Sequence, residues 1–522
     1  MGKKGKGKEK GPQKPDGMSD EMWALFNNTV DLIQNLRGSC VFNTIQCTLT
    51  KAQAAMFLWG QAVASLAKRE ECVQLGAVPQ AIGALKTVED HEKPPVVGLL
   101  HCLSSVEVAR EQYANTKSVP PHPGIALIPL LWESLNTNST ATEVGIIGTL
   151  NNLSQSVESK GVVLKELNNR GPELIINVMS TSLSCLARSD AASCLLNCIV
   201  PAVFGADTSE SVKEREKDRV LDLKMLYLEN NIVEACLGVL AGCCSDCNSG
   251  VRQYCIPALE NCAFLLQKML ILEEAKQVCL KTDGVGVLCK LLSDMYKLPK
   301  LSPELSLQAK AYAAGCVYML AVPKGIDEDM MGSISTYIHA SAPVDPDMAP
   351  LPMEDLDEEP EPEPDRSAEE AAEGVAIMKD IAVTLTSQVQ LIAEEHAILS
   401  LVTLCQGPAM PEGGGKKKKK AKEPPVAPDM ADAQMNAAGC LRLLSLFIEN
   451  RSAIVGAGAL PLLTKLLDSK TEATRLHAQG ALLNLGADSA VREQMQEIKV
   501  PEYITGLSWP PTKNNDNNDA PV

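Results

Sequence analysis

Apolar positions recur along this chain at helical spacing, in short runs broken by glycines and polar clusters. One compound pattern returns: an apolar turn ending in Gly, a Leu-rich stretch of about ten residues, a loop, and a longer stretch ending near Ala-Leu-x-Asn-Leu. Its clearest copy is 450–495, NRSAIVGAGALPLLTKLLDSKTEATRLHAQGALLNLGADSAVREQM. Others are 71–86, 123–136 leading into 141–154, 170–179, 230–240 leading into 251–266, and 282–294 leading into 307–322. Gly76, Gly124, Gly171, Gly284 and Gly458 stand where the chain must turn into the Leu-rich stretch, a place for a residue without a Cβ. The first two intervals are 48 and 47 residues, and later ones are longer, so several units carry insertions. Segment 19–39 opens on a capping sequence, Ser19-Asp20-Glu21-Met22. Its apolar set Met22, Leu25, Phe26, Ile33 and Leu36, with Leu32 at the edge, predicts an N-terminal capping helix.

GALPLLTKLL followed by an ALLNL helix resembles the armadillo repeat family, and the resemblance runs over nearly the whole chain from about residue 20. It implies an all-α fold: a right-handed superhelical α-solenoid of about nine armadillo-like repeats, one elongated domain in which each unit buries its apolar face against its neighbours. The expected organisation is a disordered basic tail over 1–18, the solenoid over 19–506, and a disordered tail over 507–522. Inserts are expected at 205–222, 342–373 and 407–431. The asparagine position of the long third helix is read as Ser65, Cys102, Asn152, Asn197, Asn261, Met319, Ser445 and Asn484, with a ninth third helix around 374–388. The resemblance puts Asn152, Asn197, Asn261, Arg475, His477, Gln479 and Asn484 on the concave groove as candidate partner contacts. Nuclear-import adaptors of this family bind basic peptides with a Trp four residues before that Asn. Gly148, Ser193, Pro257 and Gly480 stand there instead, and Trp132-x-x-x-Asn136 lies on a second helix, which argues against import function.

Composition narrows the picture. An apolar content of 45% is ample for a large core, and 3% aromatic residues disfavours a β-sandwich or barrel. The formal charge is −17. Segment 353–373 contributes −10, residues 1–17 contribute +4 and segment 412–425 contributes +4, which leaves −15 on the rest. An acidic body repels phosphate, so nucleic acid is an unfavoured partner, and acidic peptides of the kind bound by β-catenin-like grooves fit it poorly. Both charged inserts are expected between second and third helices of consecutive units. Lys416, Lys417, Lys418, Lys419 and Lys420 form a candidate electrostatic loop that also resembles a simple nuclear-import signal.

No catalytic set is present: GAG at 456–458 and GVG at 284–286 do not complete a phosphate-binding spacing, and the six histidines form no pair at ligand or general-base spacing. Most of the 18 cysteines lie in apolar helical patterns, as small hydrophobes of a reducing compartment. Cys243-Cys244-x-x-Cys247 has no second CxxC to complete a zinc site. The N-terminus lacks the apolar stretch of a secretion signal, and the apolar run 191–205 is too short to span a membrane. These readings predict a non-enzymatic cytoplasmic scaffold without cofactor, metal, membrane or nucleic-acid partner, docking other proteins in a multi-subunit assembly. A resemblance to axonemal armadillo proteins, and basic segments (1–14, 416–422) suited to the acidic tails of tubulin, favour a ciliary or flagellar axoneme or another microtubule-associated structure. The alternative is a regulatory adaptor, a ubiquitin-ligase or transport subunit, whose concave groove holds one extended peptide.

Overall fold

The computed structural model describes residues 20, 24, 28–36, 49–114, 127–135, 139–201, 208–246, 252–293, 307–322, 334, 338, 366–394, 396–406 and 428–505. The regular structure among them is helical throughout, and the chain divides into two compact units at 235/236. In the first unit, α1 (Thr29–Leu36) and α2 (Lys51–Ala64) precede three helix triads. These are α3 (Leu66–Gln74), α4 (Ala77–Thr87) and α5 (Lys93–Ser104), then α6 (Glu107–Ala114), α7 (Leu127–Ser134) and α8 (Thr140–Ser154), then α9 (Val157–Arg170), α10 (Glu173–Thr181) and α11 (Cys185–Ile199). Helix α12 (Glu210–Glu229) follows, and the division falls inside α13 (Ile232–Asp246). The second unit continues with α14 (Arg252–Met269) and the triad α15 (Glu273–Lys281), α16 (Gly284–Leu292) and α17 (Leu307–Ala321). Next come α18 (Arg366–Glu394), α19 (Ile398–Gln406) and α20 (Pro428–Leu444), then α21 (Ile448–Gly456), α22 (Ala459–Leu466) and α23 (Glu472–Leu485). Helices α24 (Ser489–Glu497) and α25 (Glu502–Thr505) end the described chain. Third helices stack on third helices: α2 on α5, α5 on α8 and α8 on α11 in one unit, and α14 on α17, α17 on α20 and α20 on α23 in the other. Each unit is thus an α-solenoid.

Local chemistry sets these boundaries. Thr50 caps α2 in a complete capping box with Gln53, while Ser139 and Ser184 accept from the third residue beyond them to start α8 and α11. The turn from a first to a second helix passes through a left-handed residue. Gly76 and Gly458 fill it with φ of 84° and 82°, as the sequence predicts. Asn231, His396 and Lys499 occupy positive φ just before α13, α19 and α25, so the geometry is kept where glycine is absent. Gly284 needs no positive φ; a Cβ there would strike Cys279, so its role is close approach.

The core is made of small and aliphatic side chains. On α17, Ala309, Ala311, Ala313, Ala314, Cys316 and Val317 are all buried, and facing third helices approach closely enough for the Cys440 thiol to reach Ala314 O at 3.5 Å. Ala and Cys suit that spacing, which explains the low aromatic content. Leu32, Ile33 and Leu36 of α1 are buried as the capping-helix reading predicts, while Met22, Leu25 and Phe26 lie outside the described residues. Residues 191–199 of the apolar run supply much of the buried face of α11, and no helix among the described residues is long and apolar enough to cross a membrane.

Three expectations change. Residues 210–222, read as an insert, form most of α12; ion pairs Lys213–Glu210, Lys217–Glu214 and Arg219–Glu216 at 3.2, 3.3 and 2.6 Å hold a helix whose apolar face is narrow. Segment 374–388, read as a ninth third helix, belongs to α18, the 29-residue first helix of its triad. The third-helix stack passes it by: Asn436 on α20 donates to Ala311 O on α17 at 3.3 Å. The last part of the acidic segment, 366–373, therefore forms the start of a first helix, and of the two charged inserts only the Lys-rich one separates a second helix from a third. Eight third helices result among the described residues, close to the nine read from the sequence.

Candidate functional site

Within each unit the third helices stack on one another, and a repeated hydrogen bond fixes their register. Asn152 Nδ2 donates to Ser104 Oγ on the preceding third helix at 2.9 Å, Asn197 to Ser154 Oγ at 3.0 Å, and Asn484 to Ser445 Oγ at 3.2 Å. Asn484 also donates to Arg442 O at 2.9 Å. In each case the serine sits two residues past its own helix's equivalent of the asparagine. That places Cys102 and Leu443 at the asparagine position of α5 and α20, and moves the reading at Ser445 by two residues.

A second regularity confirms the frame. The residue just before the asparagine position lies over a glycine four residues before that position on the next third helix. Trp59 covers Gly98, His101 covers Gly148, Gln267 covers Gly315, Tyr318 covers Gly439 and Arg442 covers Gly480. A Cβ on Gly98 would come within 2.9 Å of the Trp59 ring, and one on Gly439 within 2.8 Å of the Tyr318 ring. The import-adaptor Trp position is therefore glycine in five helices because a neighbour's large side chain fills it.

The same frame corrects two further assignments. Gly60, not Ser65, holds the position in α2; Ser65 is the N-cap of α3, accepting from Lys68 N at 3.2 Å. In α14 the position belongs to Lys268, and the residue four before it is Phe264 rather than Pro257. Asn261 lies seven residues before Lys268, half-buried. The Ala-Leu-Glu-Asn run at 258–261 imitates the repeat consensus, but α14 is 18 residues long and places its contacts two turns later.

The other candidates divide by exposure. Asn484 and His477 are 3% and 7% exposed; the His477 ring meets Tyr318 edge-on at 5.3 Å between centroids. Arg475 is half-buried, and its Nη1 donates to Ser469 O at 2.8 Å, bracing the turn into α23 as Arg188 Nε does with Ser182 O at 2.6 Å before α11. Gln479, Asn152 and Asn197 are half-buried. Sequence reasoning passed over Met56, Trp59 and Val63, an exposed apolar row on the third-helix face of α2, whose spacing of three and four residues was a usable signal. Lys416 to Lys420, Asn136, the acidic residues 353–365 and both termini lie outside the described residues, as do the side chains of Cys243 and Cys244 and all of Cys247.

Electrostatics follow from burial. In the first unit Asn151 Nδ2 donates to Asp190 Oδ1 at 2.9 Å and its Oδ1 receives Asn197 Nδ2 at 3.3 Å. Burial pushes the Asp190 carboxyl up to about 6 despite the Asn151 bond. Burial also lowers His101, keeping its ring neutral over Gly148, and raises Cys72 to about 11 and Cys279 and Cys405 to about 12. These thiols are packing groups rather than nucleophiles. Among the described residues no three His, Cys, Asp or Glu side chains converge as metal ligands.

Helix triads with a repeated asparagine-to-serine register define a helical repeat protein. Residues 448–487, spanning α21 to α23, match the family model of the Armadillo/beta-catenin-like repeat, so this part of the chain is an armadillo repeat. No curated protein sequence matches it. It is similar to an engineered protein solved as a structural-genomics target, with a TM-score of 0.37 and 18% identity over 88% of this chain and 99% of that one. It is also similar to a designed armadillo repeat protein, with a TM-score of 0.37 and 13% identity over 69% and 99% of the two chains.

Proposed function

We propose that the chain is a non-enzymatic scaffold that holds extended segments of other proteins along its third-helix faces, within a multi-subunit assembly. The observation that carries this reading is the recurrence of half-buried polar side chains on that face: Asn152 and Asn197, one repeat apart, in one unit, and Arg475 and Gln479, one turn apart on α23, in the other. The Nδ2 groups of Asn152 and Asn197 are bound to the preceding helix, which leaves their Oδ1 atoms to accept from the backbone of an extended chain while the rigid stack beneath limits ordering cost. We place the assembly at a ciliary or flagellar axoneme or another microtubule-associated structure, because the basic segments 1–14 and 416–422 complement the acidic tails of tubulin.

Affinity purification with mass spectrometry from the native cell tests the scaffold reading, and cosedimentation with microtubules before and after proteolytic removal of the tubulin tails tests its location. Expected are a salt-resistant stoichiometric complex containing cytoskeletal proteins, and pelleting that falls when the tails are removed. Recovery of mainly nuclear-pore or ubiquitin-ligase components, without cytoskeletal ones, would sink the axonemal placement.

A further inference from the structure

On the third-helix face of the second unit, one helix carries a charge at the asparagine position, where Met319, Leu443 and Asn484 stand in the other three. At the asparagine position, Asn152, Asn197 and Asn484 spend their amides on the preceding helix, whereas α14 offers Lys268. Its ammonium lies 4.8 Å from the centre of the Phe264 ring, and among the described residues no carboxylate pairs with it. Phe264 stands four residues earlier, where five other third helices have glycine, and stacks on Tyr312 of α17 at 4.4 Å and 12°. Gln308 Nε2 holds the Tyr312 hydroxyl at 2.9 Å, which fixes the platform. One step further along, the side-chain amides of Gln267 and Asn436 converge over Gly315 from the helices on either side. Phe264, Lys268, Tyr312 and Gln267 are all half-buried and open to the same face.

We infer that this cluster is a specificity subsite for an acidic side chain of an extended partner segment, a reading that rests on the third-helix face being the docking surface. The Phe264–Tyr312 platform packs against the segment's backbone and apolar stem. Lys268 receives an Asp or Glu carboxylate in a setting drier than water, and the Gln267 amide beside Gly315 serves the next peptide unit. A cation held over a ring face is positioned before the partner arrives, so little side-chain entropy is lost on pairing. The body's net charge of about −15 works against a long acidic ligand; the subsite therefore selects a single acidic residue at a fixed place rather than an acidic tract.

The test is selection of random twelve-residue peptides displayed on phage against the full chain, in parallel with Lys268→Glu, Lys268→Gln and Phe264→Ala, each checked for an unchanged circular-dichroism melt. Peptides from the unsubstituted chain should be enriched for one Asp or Glu at a fixed register. Lys268→Glu should reverse that preference to Lys or Arg, Lys268→Gln should abolish it, and synthetic winners should bind Lys268→Glu about tenfold or more weakly, consistent with a partly desolvated ion pair. Winners with no acidic preference, or with one indifferent to Lys268, overturn the subsite while leaving the docking face intact, provided they protect third-helix amides from exchange. Failure to select any peptide that protects third-helix amides overturns both.

Discussion

Gly148 offers a quantitative test of how the third-helix face is built. Within α8 a Gly→Ala change contributes about 1 kcal/mol of helix propensity, so on local grounds it stabilises. The structure opposes it, because the new Cβ would fall inside contact distance of the half-buried His101 ring, which must then leave its place. Overpacking of this kind costs roughly 1–3 kcal/mol, so Gly148→Ala alone should be between neutral and about 2 kcal/mol destabilising. In a His101→Ala background the obstruction is gone and the same substitution should stabilise by about 1 kcal/mol, a coupling of about 1–3 kcal/mol. Because the chain forms two units, a global melt is not a two-state measure, and hydrogen exchange of peptides covering 93–104 and 140–154 is the suitable assay. Equal stabilisation by Gly148→Ala in both backgrounds would refute the account of glycine as a seat for the neighbouring ring.

Three further outcomes follow from the same geometry. The Asp190 carboxyl, raised from 3.8 to about 6 by burial, favours folding when protonated; its stabilisation is full below about pH 4 and is lost as pH rises through 6. Asp190→Asn should flatten that pH profile and stabilise the first unit by at most about 3 kcal/mol at pH 7; an unchanged profile in exchange-monitored stability would count against the shift. Asn484→Ala removes two bonds from a buried site, to Arg442 O and Ser445 Oγ, and should open α23 exchange by about 1–3 kcal/mol, against a few tenths for the half-exposed Gln479→Ala. His396→Gly relieves a positive φ of 57° at an exposed position and should stabilise the segment around α19 by up to about 1 kcal/mol, a gain that fails to appear if the turn is already relaxed.

What was legible in the sequence was whatever the helix period and turn chemistry encode alone. Gly76 and Gly458 announced their turns because a left-handed residue with no Cβ penalty is nearly always glycine. His396 and Lys499 also adopt positive φ and gave no such signal, since neither residue type marks a left-handed turn. Register was harder. The Ala-Leu-Glu-Asn run at 258–261 satisfies the consensus, yet the frame in α14 is set by Gln267 lying over Gly315 of another helix, a contact distant in sequence. Helix α12 was hidden because its stability draws on ion pairs along one side, with little apolar period to detect. At the candidate site the consequence was direct: Lys268 and Phe264 were missed, while Asn484 and His477, which face the groove by consensus, are spent on packing.

The glycine seats also change how a repeat stack should respond to perturbation. In a nearest-neighbour solenoid, each repeat communicates only with the ones it touches. Over Gly439, however, α20 presents no side chain, and Tyr318 of α17 reaches across it to meet His477 of α23 at 5.3 Å, edge to face. Third helices two repeats apart are thus in direct contact. Such an aromatic pair contributes about 0.5–1.5 kcal/mol beyond its area burial. Tyr318→Ala should therefore raise exchange in 472–485 as well as in 428–444, and a His477→Ala background should cancel the distant part while leaving the local one. Exchange changes confined to α17 and α20 would show that the stack is coupled only through adjacent helices. Spread to α23 would mean that a partner segment bound over Gly439 engages three repeats at once, which is how a surface of modest polar contacts can hold a partner in register.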